Sequence, residues 1–179
     1  YDEQKVRSYT LPNPLVCIDG SAVKDTKVWS QKRRPEILRL FENEVYGRAP
    51  GKPEHMKFLE IEKDTIALKG MAKRKQIAIK LGKGDNELVI NLLIYSPTKT
   101  KAPVPAFLTI NFHGNHTVHH DPAIKITESW VRNRNGISDN RARPVDRGSS
   151  SSRWAIEEIL ENGYTFATVY YGDIDPDFD

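Results

Sequence analysis

Four of the five histidines in this chain lie within the segment FLTINFHGNHTVHHD, residues 107–121. They are His113, His116, His119 and His120, followed at once by Asp121. Imidazole rings can bind a metal, accept a proton or hydrogen-bond within a polar loop. These histidines begin where an apolar run ends, so a helical spacing of ligands does not apply. No cysteine accompanies them and no H-E-x-x-H motif is present. These observations disfavour a metal site. A second interpretation, a tight polar loop with hydrogen-bonded histidines, is not excluded.

The backbone of this loop offers a second kind of chemistry. In α/β enzymes, ligands bind outside the carboxyl ends of parallel strands, and His113 and Gly114 directly follow an apolar segment. Gly114 has no Cβ, so the backbone can turn there and a following N–H can point at a developing oxyanion. We predict that Gly114 and Asn115 lie on the oxyanion side of a catalytic site. We also predict that His113 and His116 face the substrate.

The surrounding sequence predicts the elements that position the loop. Residues 104–112 and 164–172 are apolar at nearly every position, which is typical of interior strands covered on both faces. Between them, residues 152–163 predict a helix with Ser152 as its N-cap and Gly163 at its end. The order strand, loop, helix, strand predicts a parallel βαβ unit.

The preceding part of the chain predicts an antiparallel hairpin. Residues 75–81 alternate apolar and polar side chains, residues 88–95 form an apolar run, and GKGDNE between them supplies the turn. A further strand is expected near residues 56–61. Pro35 suits the first turn of a helix over residues 34–47. The predicted fold class is α/β, with a mixed sheet in which the hairpin precedes the βαβ unit.

Composition limits the classes of protein that fit. The chain has 179 residues, of which 27 are basic and 24 acidic, and this near balance does not favour a nucleic-acid partner. No apolar run approaches the roughly 18 residues of a membrane span, so no membrane partner is expected. Residues 1–30 contain Pro12, Pro14 and Gly20 without a regular period. They predict an N-terminal arm before a domain over residues 31–179.

Two further segments could border a site. Residues 125–147 are polar, rich in arginine and too long for an ordinary connection, which favours an active-site loop. Trp130 in this stretch is a candidate for stacking on a sugar, and its arginines could bind a carboxylate. GDIDPDFD, residues 172–179, lacks the glycine and glutamate of a calcium loop. We expect it to shape the rim of the site, with Asp173 as a substrate contact.

Three segments carry a resemblance to a known family. They are WSQKRRPEILRLFENEVYGRAP, NFHGNHTV and SSRWAIEEILENGYTFATVYYGDIDPDFD. Together they resemble the N-terminal half of bacterial glucuronoyl esterases, carbohydrate esterase family fifteen, many of whose relatives are called acetyl xylan esterases. The resemblance runs from about Leu11 to Asp179. It implies an α/β-hydrolase-like fold and a serine carboxylesterase, secreted or periplasmic and without a cofactor. The implied substrates are glucuronoyl esters of xylan and lignin, or acetyl xylan.

The nucleophile of such an enzyme is missing from this sequence. Neither G-x-S-x-G nor the variant G-x-S-R-x-G occurs, and Ser149 to Ser152 lack the second glycine and a preceding apolar strand. In the resembled family the serine, acid and histidine follow the strand that here ends near Gly172. We therefore expect the triad beyond Asp179. The chain would be the N-terminal half of an incomplete α/β-hydrolase domain, inactive alone. Its expected partners are a polysaccharide ester and the C-terminal remainder of the same polypeptide.

Two other functions remain open on the sequence alone. One is a non-catalytic carbohydrate-binding protein with the same fold, which a serine elbow and a late histidine in the following sequence would exclude. The other is a metal-dependent hydrolase that uses the histidines of residues 113–120, for which bound zinc would be the evidence. The sequence itself predicts no metal.

Overall fold

The computed structural model describes residues 2–84, 87–100, 103–134, 137–176 and 178. They divide into a first unit that ends at Lys52 and a second unit that begins at Pro53. Residues 2–30 of the predicted N-terminal arm lie in the first unit. No helix in the described part of the chain is both long and apolar enough to cross a membrane.

The first unit is built on a helical segment with wide turns. Helix α1 is Thr26–Val28 and helix α2 is Arg34–Phe41, and π-helical turns span Trp29–Arg33 and Glu42–Tyr46. Asp25 caps its start and Gly47, with φ 73°, follows its end. The helix predicted over residues 34–47 is confirmed in place but begins earlier. Pro35 lies in the first turn of α2, as predicted, although a π-helical turn precedes it.

The second unit contains a five-stranded mixed sheet in the order β1-β2-β3-β5-β4. The strands are β1 Met56–Ala67, β2 Ala72–Leu81, β3 Leu88–Pro97, β4 Ala106–Asn111 and β5 Thr165–Tyr170. The β4–β5 pair is parallel and the other pairs of described strands are antiparallel. The predicted hairpin and βαβ unit are both confirmed. Two residues of the predicted turn, Asp85 and Asn86, lie outside the described residues.

The crossover between β4 and β5 contains one α-helix and several shorter turns. Helix α3 is Ile156–Glu161, and 3-10 turns span Asn115–Thr117, Pro144–Asp146 and Ser151–Arg153. The N-cap prediction for Ser152 is wrong. Ser152 lies in the last 3-10 turn, Trp154 is extended, and the cap position of α3 is Ala155, which makes no side-chain cap bond. Gly163 has φ 82° and follows α3 as predicted.

The hydrophobic core lies between α3 and one face of the sheet. Leu93, Tyr95 and Phe166 face Ile156 and Leu160 of the helix. Val118 and Ile124 of the loop after β4 join the same cluster. Each large side chain buried in this way stabilises the fold by about 1.5–3 kcal/mol. The loop that carries the histidines therefore packs into the core through Val118 and Ile124.

Strand β4 is an exposed edge of the sheet. β5 is interior, with five of its six residues buried, as predicted. The apolar run of β4 predicts cover in the same way, but the described residues do not supply it: Leu108 is 72% and Ile110 52% exposed. Pro105 O accepts a hydrogen bond from Thr165 N. Parallel ladders alternate sides, so the N–H groups of Leu108 and Ile110 point to the open edge, where no described strand pairs with them.

Substitutions at two leucines test this arrangement. We expect Leu93→Ala to lower the free energy of unfolding by about 2–5 kcal/mol, because Leu93 is fully buried. Leu108→Ala should change it by no more than about 0.5 kcal/mol. Urea titration followed by circular dichroism measures both. Equal destabilisation by the two changes would show that β4 is covered.

Candidate active site

The loop after β4 is shaped by the side chain of Asn111, which is buried at the end of that strand. Its Oδ1 accepts hydrogen bonds from Gly114 N at 2.9 Å and from His113 N at 3.4 Å. Its Nδ2 donates to Asn115 Oδ1 at 2.7 Å and to two oxygens of β5 at 3.1 and 3.0 Å. One amide therefore holds the turn closed and fastens it to the neighbouring strand.

Gly114 is required here for two reasons. Its φ of 97° lies in the left-handed region, and a Cβ would come within 2.8 Å of the His116 ring and 3.0 Å of Thr127. Its own N–H is already donated to Asn111, so it is not free for an oxyanion. The N–H of Asn115, the next residue, has no hydrogen-bond acceptor among the described residues. Of the two residues predicted on the oxyanion side, Gly114 and Asn115, only Asn115 has a backbone N–H that could donate to an oxyanion. This role stays a prediction.

His116 is enclosed within the described residues and does not face a surface open to substrate, which corrects the role predicted for it. Its side chain is 0% exposed, and its Nε2 lies 3.4 Å from Asp146 Oδ2. Arg134 Nη2 lies 2.5 Å from the same carboxylate oxygen. Burial lowers the pKa of His116, because desolvation disfavours the imidazolium. The ring is neutral and packs beneath Gly114.

The other histidines point to separate partners. His119 Nε2 lies 2.8 Å from Glu157 Oε1, and His120 Nε2 lies 3.2 Å from Ser151 Oγ. His113 is half-buried, and burial, followed by the charge of Arg134, lowers its pKa. Its predicted contact with substrate stays a prediction. Across the described ranges no group of three or more His, Cys, Asp or Glu side chains could hold a metal. The geometry therefore does not support the metal-dependent hydrolase.

A buried ionic network fixes the far end of the loop. Arg74 Nη1 donates to Asp121 Oδ2 at 2.5 Å, and its other nitrogens donate to Glu62 at 2.8 and 2.9 Å. Tyr95 OH also donates to Asp121 Oδ2. Burial tends to raise the pKa of Asp121, but the hydrogen bonds from Tyr95, Ala123 and Arg74 outweigh it and lower the pKa. The hydrogen bond from Arg74 likewise lowers the pKa of Glu62.

Residues 125–147, here called the rim segment, fold back on themselves beyond β5. Antiparallel bridges join Trp130 to Arg141 and Arg134 to Ile137. Asn135 and Gly136 lie outside the described residues. Val131 and Ile137 are buried against Tyr170, whose hydroxyl donates to Trp130 O at 2.8 Å. The described residues of the rim segment are thus held by two antiparallel bridges and by packing against β5. Trp130 is half-buried, and its sugar-stacking role stays a prediction.

An open groove of about 740 Å³ lies at the carboxyl ends of β4 and β5. We call it the strand-end groove. Its lining includes Ile110, Arg132, Tyr171, Ile174, Pro176 and Phe178. The ring of Phe178 packs on that of Trp130, with centroids 5.6 Å apart. The groove occupies the position at which α/β enzymes bind their ligands. Arg132 of the rim segment and described residues of the 172–179 segment line it together, and their role at an active site stays a prediction.

Asp173 is not in contact with this groove, which corrects the substrate contact predicted for it. The residue is 5% exposed and lies in the 3-10 turn Tyr171–Asp173. Its carboxylate accepts hydrogen bonds from β3 and from the rim segment. Within the same predicted rim, Asp177 and Asp179 lie outside the described residues. Residue type alone could not show that Asp173 turns inward, and the role of its segment as the rim of a site stays a prediction.

Comparisons with known proteins give relatives over nearly the whole chain. No family model matches it. The carbohydrate esterase MZ0003, from an unknown prokaryotic organism, is 47% identical over 180 residues, which cover 99% of this chain and 41% of that protein. The chain therefore spans less than half the length of this relative.

Solved structures give the same result. A promiscuous CE15 esterase from a marine bacterial metagenome superposes with a TM-score of 0.88 at 46% identity. The glucuronoyl esterase from Solibacter usitatus superposes with a TM-score of 0.87 at 41% identity. Each match covers 99% of this chain and 44% of the other. The mixed five-stranded sheet matches the N-terminal part of CE15 α/β-hydrolase structures.

Alanine at Gly114 tests the packing of the loop. Gly114→Ala should lower the free energy of unfolding by about 3 kcal/mol or more, since it combines backbone strain with a collision at His116. Gly163→Ala is the matched control, because its φ of 82° is similar but nothing lies within 4 Å of a new Cβ. We expect a loss of about 1–2 kcal/mol there. Equal losses would contradict the tight contact with His116.

Removal of Arg74 tests the ionic network through its pH dependence. The lowered pKa values of Asp121 and Glu62 stabilise the fold above the unfolded values of about 4, and this contribution is lost as pH falls through the folded values. Arg74→Gln should cost about 3–5 kcal/mol at pH 7 and progressively less below pH 4. Urea titrations from pH 7 to pH 2.5 measure the difference.

The control for this series is Arg143→Gln, which removes an exposed pair with Asp139. It should leave the free energy of unfolding close to that of the wild type at every pH, because an exposed ion pair is screened by solvent. If the loss of unfolding free energy in Arg74→Gln stayed constant across the pH range, the assigned ion pairs would be contradicted.

Proposed function

The chain is a homologue of the CE15 carbohydrate esterases, and from this premise we propose that it forms the N-terminal part of a serine carboxylic ester hydrolase acting on plant cell-wall polysaccharide. The observation that carries the proposal is the 46% identity to a CE15 esterase structure over 99% of this chain. The position of the strand-end groove supports it, because the groove lies where the fold places its reacting groups.

The nucleophile, base and acid of this enzyme are proposed to lie C-terminal to these 179 residues. Two observations support this placement. The sequence has no serine elbow, and the relatives are more than twice as long as the matched region. The open edge and exposed leucine and isoleucine of β4 also fit a further parallel strand packed beside it. The remainder of the polypeptide is then the structural partner of this chain.

In the proposed mechanism this chain supplies the oxyanion side of the reaction. A serine attacks the ester carbonyl, a histidine takes its proton, and the negative charge on the carbonyl oxygen grows in the transition state. The N–H of Asn115 donates to that oxygen in a turn whose shape Asn111 and Gly114 fix before substrate arrives. One such preorganised donor contributes about 10²–10³-fold in rate. The mechanism needs no cofactor.

The strand-end groove favours a glucuronoyl ester over an acetyl ester. Tyr171 and Phe178 give the part of the groove that this chain forms aromatic walls. Such walls fit the apolar face of a sugar or the ring of a lignin alcohol. Trp130 lies in the rim segment and His113 in the loop after β4, and we propose that both contact the sugar. Because that substrate is outside the cell, we propose a secreted or periplasmic location.

Hydrolysis assays on two polypeptides test the proposal. One is this 179-residue chain, and the other carries the proposed C-terminal residues up to the length of the relatives. We expect the longer polypeptide to hydrolyse benzyl glucuronoate faster than 4-nitrophenyl acetate, with no loss in the presence of EDTA. The 179-residue chain should be inactive. Release of benzyl alcohol and of nitrophenol gives the rates.

Controls separate the other candidate functions. Ser151→Ala in the longer polypeptide should leave the rate within about twofold, because the exposed Ser151–His120 pair lies outside the proposed machinery. Hydrolysis by the 179-residue chain that is lost in Ser151→Ala would contradict the proposal. Polysaccharide binding by the longer polypeptide without hydrolysis would favour the carbohydrate-binding alternative, and loss of activity with EDTA the metal-dependent one.

A further inference from the structure

We propose that Asp173 is a positioning residue that holds the rim segment and the turn at Asn115 in a single geometry, an inference that rests on the proposed esterase function. Asp173 follows β5, and its carboxylate lies between the rim segment and Asn91, which in turn contacts the turn at Asn115. It touches neither substrate nor the proposed oxyanion donor, and acts through the residues that do.

The carboxylate of Asp173 is buried and is satisfied by neutral donors. Its Oδ2 accepts from Asn91 N at 2.8 Å and from Asn91 Nδ2 at 3.0 Å. Its Oδ1 accepts from Ser129 Oγ at 2.7 Å and from Thr127 Oγ1 at 3.3 Å. Within the described ranges no lysine or arginine forms an ion pair with it. A buried charge without a counterion is costly, so its four hydrogen bonds must all be kept.

One arm of this arrangement leads to the oxyanion side. Asn91 O accepts a hydrogen bond from Asn115 Nδ2 at 2.7 Å. Asn115 Oδ1 accepts from Asn111 Nδ2 at 2.7 Å, and Asn111 Oδ1 accepts from Gly114 N. An unbroken series of hydrogen bonds therefore joins Asp173 to the turn. A shift of Asn91 would be passed to Asn115, whose N–H is the proposed donor.

The other arm leads to the rim segment. Ser129 directly precedes Trp130, and Trp130 O is held by the hydroxyl of Tyr170 at 2.8 Å. Asp173 and Tyr170 thus fasten the base of the rim segment at two neighbouring points. Arg132, further along the same segment, lines the strand-end groove. The position of this groove wall relative to β5 depends on the Asp173–Ser129 contact.

The two arms predict different kinetic effects. Loss of the Ser129 hydroxyl frees the rim segment but leaves Asn91 and Asn115 in place, so substrate binding weakens while the chemical step is kept. Replacement of Asp173 by Asn leaves one oxygen for four donors, and the hydroxyls of Ser129 and Thr127 must turn from donating to accepting to meet the new amide N–H groups. Both arms are therefore disturbed. A displacement of about 1 Å at a reacting group can cost about 10²-fold in rate. If Asp173 had a purely structural role, its replacement would lower stability without separate effects on KM and kcat.

The experiment compares three variants of the longer polypeptide. We expect Ser129→Ala to raise KM about fivefold with kcat within about twofold, which corresponds to one hydrogen bond. Asp173→Asn should raise KM and also lower kcat by about 10²-fold. Asp121→Asn is the matched control, since this carboxylate is similarly buried but belongs to the Arg74 network. It should lower Tm and leave KM unchanged.

Hydrogen exchange gives a second readout that needs no activity. Asp173→Asn should speed amide exchange in residues 127–132, whereas Asp121→Asn should not. If the longer polypeptide without substitutions is inactive, the esterase proposal fails. The exchange measurement still tests the positioning role of Asp173 in that case. The inference is overturned if Asp173→Asn lowers Tm but leaves kcat, KM and exchange in residues 127–132 as they are in Asp121→Asn.

Discussion

The candidate site depends on one buried amide, that of Asn111 at the carboxyl end of β4. An amide can accept on one side and donate on the other, and Asn111 uses both: it accepts from the backbone of the following turn and donates to Asn115 and to β5. The parallel pairing of β4 with β5 brings these groups together. The loop is therefore fixed by the sheet before any substrate is present, which is what an oxyanion donor requires.

Two separate hydrogen-bond networks fix the two ends of this loop. The ionic group of Arg74, Asp121 and Glu62 fixes its far end against β1 and β2, and the neutral group around Asn91, Asn111 and Asp173 fixes its near end. The first contributes stability that varies with pH. The second is built of amides, hydroxyls and one carboxylate, and its geometry bears on the proposed chemistry. The histidines that mark the sequence mostly support packing, with His116 wholly enclosed.

Much of the fold followed from the sequence, because apolar periodicity and turn residues report local structure directly. The hairpin, the βαβ unit and the stop at Gly163 are examples. The apolar run of β4 shows that the strand needs cover, and one crossover helix is too little to supply it, but the sequence does not show which residues do. The site was harder. Residue type predicted His116 and Asp173 as substrate contacts, but could not show that both side chains are buried. The alternation that buries Arg74 and Gln76 beside Ala78 was a signal that sequence reasoning missed.

The central claim is that further residues of the same polypeptide complete the sheet beside β4. Amide hydrogen exchange at Leu108 and Ile110, whose N–H groups point to the open edge, tests it most directly when this chain and the longer polypeptide are compared by NMR. The account predicts that both amides exchange rapidly in the 179-residue chain and are protected in the longer polypeptide. Equal exchange rates in the two polypeptides would contradict it.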